Sequence, residues 1–343
     1  MLPRLKKNMN KELIKKIADR MVNGKDTDWA MDIEHFDWVP AVGLYGIWKA
    51  WKSTGEERYL QFLNDWMTRH LSEAYAQKTV NSTAPLLTAI LLYTETKQPE
   101  LLKTCKDIAE YVMHEAPRTR EGGLEHTVTE AVPGFTEQIW ADTLFMVCIF
   151  LTKLGRVTGQ REYIDFAMEQ LKIHHQALRD EKSGLYFHGW NCGAGDHMSA
   201  VHWGRANAWI IYSTMEILET AETIDGHETW ITEHATALKA CQRSGGAFGT
   251  IIDDSDSYDE ISATAGIAAG LAKGRTAGIL DDSYDTVIAS ALRAVAESVN
   301  DRGEVEGVST GTPVMESAAA YRAIPICPTL YGQGLAIVAL AEE

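Results

Sequence analysis

Apolar residues recur along the chain mostly at three- and four-residue spacing, the helical period, and Gly, Pro, Asn or Asp interrupts the runs. The pattern predicts a mainly helical protein with helices near 10–22, 39–53, 56–72, 82–96, 99–115, 138–154, 161–178, 205–220, 228–243, 262–273, 283–299 and 330–342. Two kinds of helix alternate. Pro40–Trp51, Ala84–Tyr93, Leu144–Leu151, Ala206–Leu218, Ala263–Ala272 and Leu330–Leu340 are apolar nearly all round, whereas Glu57–His70, Leu101–His114, Arg161–His174 and Tyr284–Val299 carry a charged face. The first kind belongs inside and the second outside. Alternation of this kind describes the inner and outer rings of a helical toroid.

A weak internal repeat points the same way. Thr54-Gly55-Glu56-Glu57-Arg58-Tyr59-Leu60 matches Thr158-Gly159-Gln160-Arg161-Glu162-Tyr163-Ile164, and Thr96-Lys97-Gln98-Pro99-Glu100-Leu101-Leu102 echoes both. Each falls where an inner helix would turn into an outer one, and stacked supersecondary units of this kind bury one continuous core. Six hairpins close an all-α (α/α)6 barrel, expected here as one catalytic unit over residues 1–343. The return connections are longer and strand-like, as at Gly122–His126, Gly184–Trp190, Gly245–Gly249 and Gly303–Val308. All would gather on one rim, beside the N-termini of the inner helices, where loops on a rigid scaffold carry function and helix dipoles favour anions.

Composition narrows the function classes. Of 343 residues 45% are hydrophobic, enough for a full core, which excludes a low-complexity disordered chain. Lys+Arg 32 against Asp+Glu 48 leaves a formal net charge of -16, which argues against a protein that holds nucleic-acid backbones. Ten Trp and 12 Tyr supply flat faces of the kind that stack on sugars and bases. The five cysteines (Cys105, Cys148, Cys192, Cys241 and Cys327) are spread without a CxxC pair, which fits a reducing compartment. No secretory leader or membrane span is legible, so a cytoplasmic location is expected. Walker, GxGxxG and HExxH patterns are missing. The pair His174-His175 lies on an outer helix and reads as solvated or half-buried surface, not as a metal site. No cofactor or metal is expected.

The remaining chemistry lies in rim segments dense in Trp, His, Asp and Arg. Asp142 opens an apolar inner helix two residues after Trp140, where poor solvation would push its pKa upward as a proton donor requires; helix N-terminus stabilisation is the alternative. Arg205, flanked by Trp203 and Trp209, suits a bidentate grip on a carboxylate, or equally a structural pair with a rim acid. His188 sits on the Tyr186–Trp190 loop and is more readily a structural hydrogen-bonder than a catalyst. Glu260, before the inner helix at Ser262, reads best as helix-start electrostatics.

In combination, WADTLFM (Trp140–Met146), FHGW (Phe187–Trp190), WGRANAW (Trp203–Trp209), GVSTGTPV (Gly307–Val314) and LYGQGLAIVAL (Leu330–Leu340) resemble glycoside hydrolase family 105, the unsaturated rhamnogalacturonyl hydrolases, related to the family 88 unsaturated glucuronyl hydrolases. The resemblance spans essentially the whole chain. It implies removal of a 4,5-unsaturated uronic acid from the non-reducing end of a lyase-generated oligosaccharide, by hydration of the double bond. Carried over by motif, Asp142 would protonate C4 and then deprotonate the water that adds at C5. Trp203, Arg205 and Trp209 would bind the uronate, Trp140 would wall the site, and His188 would bind substrate or position water. Relatives commonly carry a second Asp where Asn81 is the nearest polar residue here, and Asn81 would hydrogen-bond sugar hydroxyls. The expected partner is a small unsaturated oligosaccharide, with no nucleic acid or membrane and a monomer or homodimer as the working unit. Two other readings on the same toroid stay open: a sugar epimerase or isomerase, which needs two facing rim histidines such as His188 and His202, and a noncatalytic carbohydrate-binding protein.

Overall fold

The computed structural model describes residues 2–127, 135–223 and 226–342, and the backbone alone for residues 2–8. In chain order the elements are α1 (Leu2–Asn23), α2 (Trp38–Thr54), α3 (Glu57–His70), α4 (Val80–Thr83), α5 (Leu86–Thr96) and α6 (Pro99–His114). They continue with β1 (Gln138–Trp140), α7 (Ile149–Thr158), α8 (Arg161–Leu178), β2 (Gly189–Asn191), α9 (Gly204–Ala221) and α10 (Glu228–Cys241). The last are α11 (Ile261–Thr276), α12 (Asp285–Glu297), α13 (Ala318–Arg322) and α14 (Leu330–Ala341). Helices α2, α5, α7, α9, α11 and α14 each pack on the next, and α14 returns to α2, so the six close a ring. Outside it, α3, α6, α8, α10 and α12 each back the inner helix that precedes them, and α1 covers the seam between α14 and α2. This is the all-α (α/α)6 toroid.

The repeated Thr motifs are its hairpin corners. Thr54, Thr96 and Thr158 each bond back to the carbonyl four residues earlier, at 2.7, 3.0 and 2.8 Å. Each also accepts from the backbone N–H two residues on. The residue between is left-handed in all three, with φ 74° at Gly55, 55° at Lys97 and 72° at Gly159. Glycine bears that conformation without strain, and here it ends an inner helix and launches an outer one.

The inner helices are small-residue helices because they must approach closely. A β-carbon on Gly46 of α2 would stand 2.5 Å from the Cα of Gly334 in α14, so the closing seam admits no larger residue there. At the end of the ring where inner helices finish, the carboxylate of Glu216 (α9) is fully enclosed. Lys153 (α7), Lys273 (α11) and Lys49 (α2) bring their ammonium groups to 2.7, 3.1 and 3.8 Å. Tyr212 donates to it at 3.1 Å. Cations at helix C-termini are favoured by the dipoles, and the cluster closes that end. The open end is therefore the one where inner helices begin.

Two expected helices begin differently. Residues 138–140 are extended, because Gln138, Ile139 and Trp140 pair antiparallel with Asn191, Trp190 and Gly189. The helical run after them opens with a π-helical turn over Leu144–Cys148. The run expected over 82–96 is broken at Pro85, which has no N–H to continue the ladder, leaving α4 as a separate turn before α5. Among the described residues no helix is long and apolar enough to cross a membrane.

Candidate active site

A cavity of about 230 Å³ opens on the rim beside the inner-helix N-termini. Trp140, Trp203, Phe135, Trp38 and Trp29 form its apolar walls, Asn81, His126, Arg205 and Thr312 its polar ones, and Asp142 is the only carboxylate that lines it among the described residues. Strand pairing builds the centre. The ladder that sets Trp140 opposite Gly189 continues with Ala141 N–H donating to the His188 carbonyl at 3.0 Å, which carries His188 to Asp142. Nε2 of His188 lies 3.3 Å from Oδ2 of Asp142, off line for a full hydrogen bond, and neither atom has another partner among the described residues.

The electrostatics reverse one expectation from sequence. Burial does push the Asp142 carboxyl upward, but the His188 contact and the charges that His188, His126 and Arg205 carry at the acid pH where the carboxyl titrates outweigh it. The group is held below the usual carboxylate range, not above it. Burial also lowers both imidazoles: His188 falls below its ordinary value despite the Asp142 contact. His126, stacked on Trp140 with ring centroids 4.1 Å apart, is pushed down to about 4.

Arg205 is not a free clamp. It is 1% exposed, and its Nη1 lies 3.5 Å from Glu260, which is wholly buried. Nη1 also donates to Ser309 Oγ at 2.8 Å and Ser262 Oγ at 3.1 Å, and Nη2 donates to Thr310 O at 3.1 Å and Thr312 Oγ1 at 3.2 Å. Trp203 and Tyr331 sandwich the guanidinium at 4.4 and 4.7 Å. Arg205 thus presents charge to the cavity while its fork holds the Ser309–Thr312 loop. Glu260 caps α11 by accepting from Ala263 N–H at 2.6 Å, the helix-start role read from sequence.

Asn81, Trp140, Asp142, Trp203 and Arg205 are brought together as the motifs imply; Trp209 and His188 are not at the cavity surface. Trp209 follows Arg205 by one helical turn on the same face, so it points deeper into the barrel, where it packs on Phe145 with centroids 4.7 Å apart. His188 stands behind Asp142 and touches the carboxyl instead of the space. His202 is drawn away: its Nδ1 is 2.8 Å from Asp253 and its Nε2 3.5 Å from Asp180. His174 is buried in the outer helix and bonds the Gln170 carbonyl at 2.8 Å, a core role rather than a solvated one, while His175 is half-buried and pairs with Tyr186. Among the described residues no cluster of His, Cys, Asp and Glu is arranged to hold a metal.

Sequence reading missed His126, Trp29, Trp38 and Phe135. Trp38 had a usable signal, since Asp37 before it caps the first inner helix, Asp37 Oδ1 accepting from Trp38 N–H at 2.7 Å. Trp29 lies on an irregular connection with no periodicity to mark it.

Residues 13–343 match the family model described as Glycosyl Hydrolase Family 88. The chain is 35% identical over 341 residues to the unsaturated rhamnogalacturonyl hydrolase YesR of Bacillus subtilis (strain 168), covering 97% of this chain and 95% of that one. It is 28% identical over 218 residues to an unsaturated 3S-rhamnoglycuronyl hydrolase of Alteromonas sp. (strain LOR), covering 59% and 50%. A solved structure described as a possible member of the GH105 family, from Salmonella enterica subsp. enterica serovar Paratyphi A, superposes with a TM-score of 0.92 at 31% identity, over 98% of this chain and 93% of that one.

Proposed function

The chain belongs to glycosyl hydrolase family 88, and from that premise we propose that it removes a 4,5-unsaturated uronic acid from the non-reducing end of lyase-generated oligosaccharides, an unsaturated rhamnogalacturonan disaccharide foremost. It is a glycoside hydrolase. The observation that carries the chemical reading is a single carboxylate among the described residues, Asp142, in an aromatic cavity. Ordinary glycosidases need two carboxyl groups flanking the bond. Hydration of an enol ether needs one group, which gives a proton to C4 and then takes one from the water adding at C5; the hemiketal so formed opens and releases the neighbouring sugar.

The resting Asp142 is ionised, since its carboxyl is held low, so the acid form has to be generated on binding. A uronate entering the cavity brings a like charge and excludes water, and both effects raise the carboxyl's pKa. Arg205, tied to Glu260, supplies attraction without a free fork, leaving Asn81, Thr312 and the tryptophan walls to define the sugar's pose. An epimerase reading is weakened because His202 is engaged with Asp253 and Asp180 and does not face His188 across the cavity. A noncatalytic binder would not need a buried acid joined to an imidazole.

Residues 1–343 are read as one barrel unit that works as a monomer or homodimer. Five free cysteines support a reducing, cytoplasmic setting. A panel of lyase-generated unsaturated oligosaccharides from rhamnogalacturonan, ulvan, chondroitin and arabinogalactan, followed by loss of the double-bond absorbance, tests the reading. Turnover of the rhamnogalacturonan product that disappears in Asp142→Asn, with the fold intact, is the expected result; turnover by that variant refutes the assignment.

A further inference from the structure

Behind the acid lies a buried tyrosine on the short helix α13. The Tyr321 hydroxyl is 2.7 Å from Nδ1 of His188, and the ring is wholly enclosed. Its oxygen accepts from Met315 N–H at 3.2 Å, and the Ser199 side chain hydrogen-bonds the same oxygen in the sense that favours its ionised form, as a donor does. A phenol oxygen filled from that side keeps one proton to give. On the far side of the imidazole, Nε2 faces Oδ2 of Asp142, and an ionised carboxylate can only accept. A neutral imidazole has one N–H, and burial keeps this one neutral. The polarity of the chain is therefore determined: Nδ1 accepts, and Nε2 carries the proton.

We propose that Tyr321 is a positioning residue for the reaction: its buried hydroxyl donates to Nδ1 of His188 and so presents Nε2–H to the carboxyl of Asp142. This rests on Asp142 being the acid. As the Asp142 O–H bond breaks and the C4–H bond forms, the new carboxylate appears 3.3 Å from a donor held beside it, so a small realignment completes the bond. When water adds at C5, its proton returns to the same carboxylate. Without the Tyr321 hydroxyl, the imidazole is free to take the other tautomer, which turns a lone pair toward Asp142 and favours the protonated carboxyl. The charged and titratable groups around this chain are Asp142, His126 and Arg205, and none of them contacts Nδ1 of His188.

The test is the pH profile of kcat for wild type, Tyr321→Phe and Asp142→Asn on the unsaturated rhamnogalacturonan disaccharide. In Tyr321→Phe, kcat falls about tenfold, the loss of one neutral hydrogen bond, with KM within about twofold. The alkaline midpoint, which reports deprotonation of the acid in the complex, moves to higher pH because the carboxyl has lost its donor. An unchanged kcat, or a lower kcat with an unmoved midpoint, overturns the inference while Asp142→Asn stays inactive; activity in Asp142→Asn overturns the acid assignment and this inference with it. Should Tyr321→Phe fail to fold, imidazole 15N spectra of the wild type decide, with the resonances assigned by their loss in His188→Gln. A protonated Nε2 and a bare Nδ1 are expected, and the reverse tautomer refutes the lock.

Discussion

Arg205 and Glu260 are locked together at 3.5 Å in the wall of the cavity, and the backbone of Ser309 and Thr310 hangs on the same guanidinium. Lysine keeps the charge but not the planar fork. Arg205→Lys is expected to lose about 1–3 kcal/mol of stability together with a drop in kcat, because the Ser309–Thr312 loop loses its anchor. Thermal melting read beside kcat and KM checks this; a variant of normal stability whose only change is a raised KM would mean that the guanidinium is a free uronate clamp after all.

The two tryptophans at the extremes of exposure separate binding from packing. Trp29 is 43% exposed and lines the cavity, whereas Trp209 is fully buried against Phe145. Trp29→Ala is expected to raise KM several-fold, by about the 0.5–1.5 kcal/mol that an aromatic contact supplies, with the melting temperature unmoved. Trp209→Ala should instead lose about 3–5 kcal/mol of stability through the cavity it leaves. Denaturant titrations and Michaelis curves on both proteins distinguish the cases, and a swapped pattern would disprove the placement of Trp209 away from substrate.

Because Asp142 is held low in the free protein and pushed up by an entering uronate, binding should take up protons. Titration calorimetry near pH 5 in buffers of different ionisation enthalpy should show an uptake of a fraction of a proton per uronate bound, absent from Asp142→Asn. A buffer-independent heat would leave the carboxyl ionised in the complex and unable to serve as the acid.

The charge cluster at the closed end makes a stability prediction with a defined sign. Burial alone raises the Glu216 pKa, but Lys153, Lys49 and Lys273 bring it well below its usual 4.5. A depressed folded pKa stabilises above the unfolded value and loses that contribution as pH falls through the folded one. Glu216→Gln is therefore expected to cost about 3–5 kcal/mol at pH 7, as when a buried pair is broken, and progressively less below pH 4.5. Calorimetric melting of both proteins from pH 7 to 3 measures the gap; a gap constant with pH would show the carboxylate to be dispensable.

Much of the ring was legible because periodicity reports burial directly. The inner helices bury every face, and the Thr turns at 54, 96 and 158 recur as the same hydrogen-bonded corner. Asp142, Trp140, Trp203 and Asn81 could be placed at the cavity by motif. What failed was long-range. Ile139 and Trp140 share the helical spacing of the apolar run that begins at Leu144, but their backbone pairs with Trp190 and Gly189, some fifty residues on, and local pattern does not encode that partner. The same ladder pulls His188 behind the acid, which reverses the direction of the Asp142 pKa expected from its aromatic neighbours. Trp209 is close to Arg205 in sequence, and one helical turn carries it into the barrel's interior against Phe145.

The seam between α2 and α14, where Gly46 meets Gly334, bears on how the molecule is made. Inner helices are synthesised in ring order, so α2 waits with its partner face uncovered until residues 330–341 have left the ribosome. Every element that bears Asp142, His188 and Arg205 is by then complete. The missing helix brings Tyr331, the ring beneath the Arg205 guanidinium, and with it the last support of the cavity wall. A chain stopped short of α14 would hold the reactive residues in an open arc, so catalytic competence arrives only with α14.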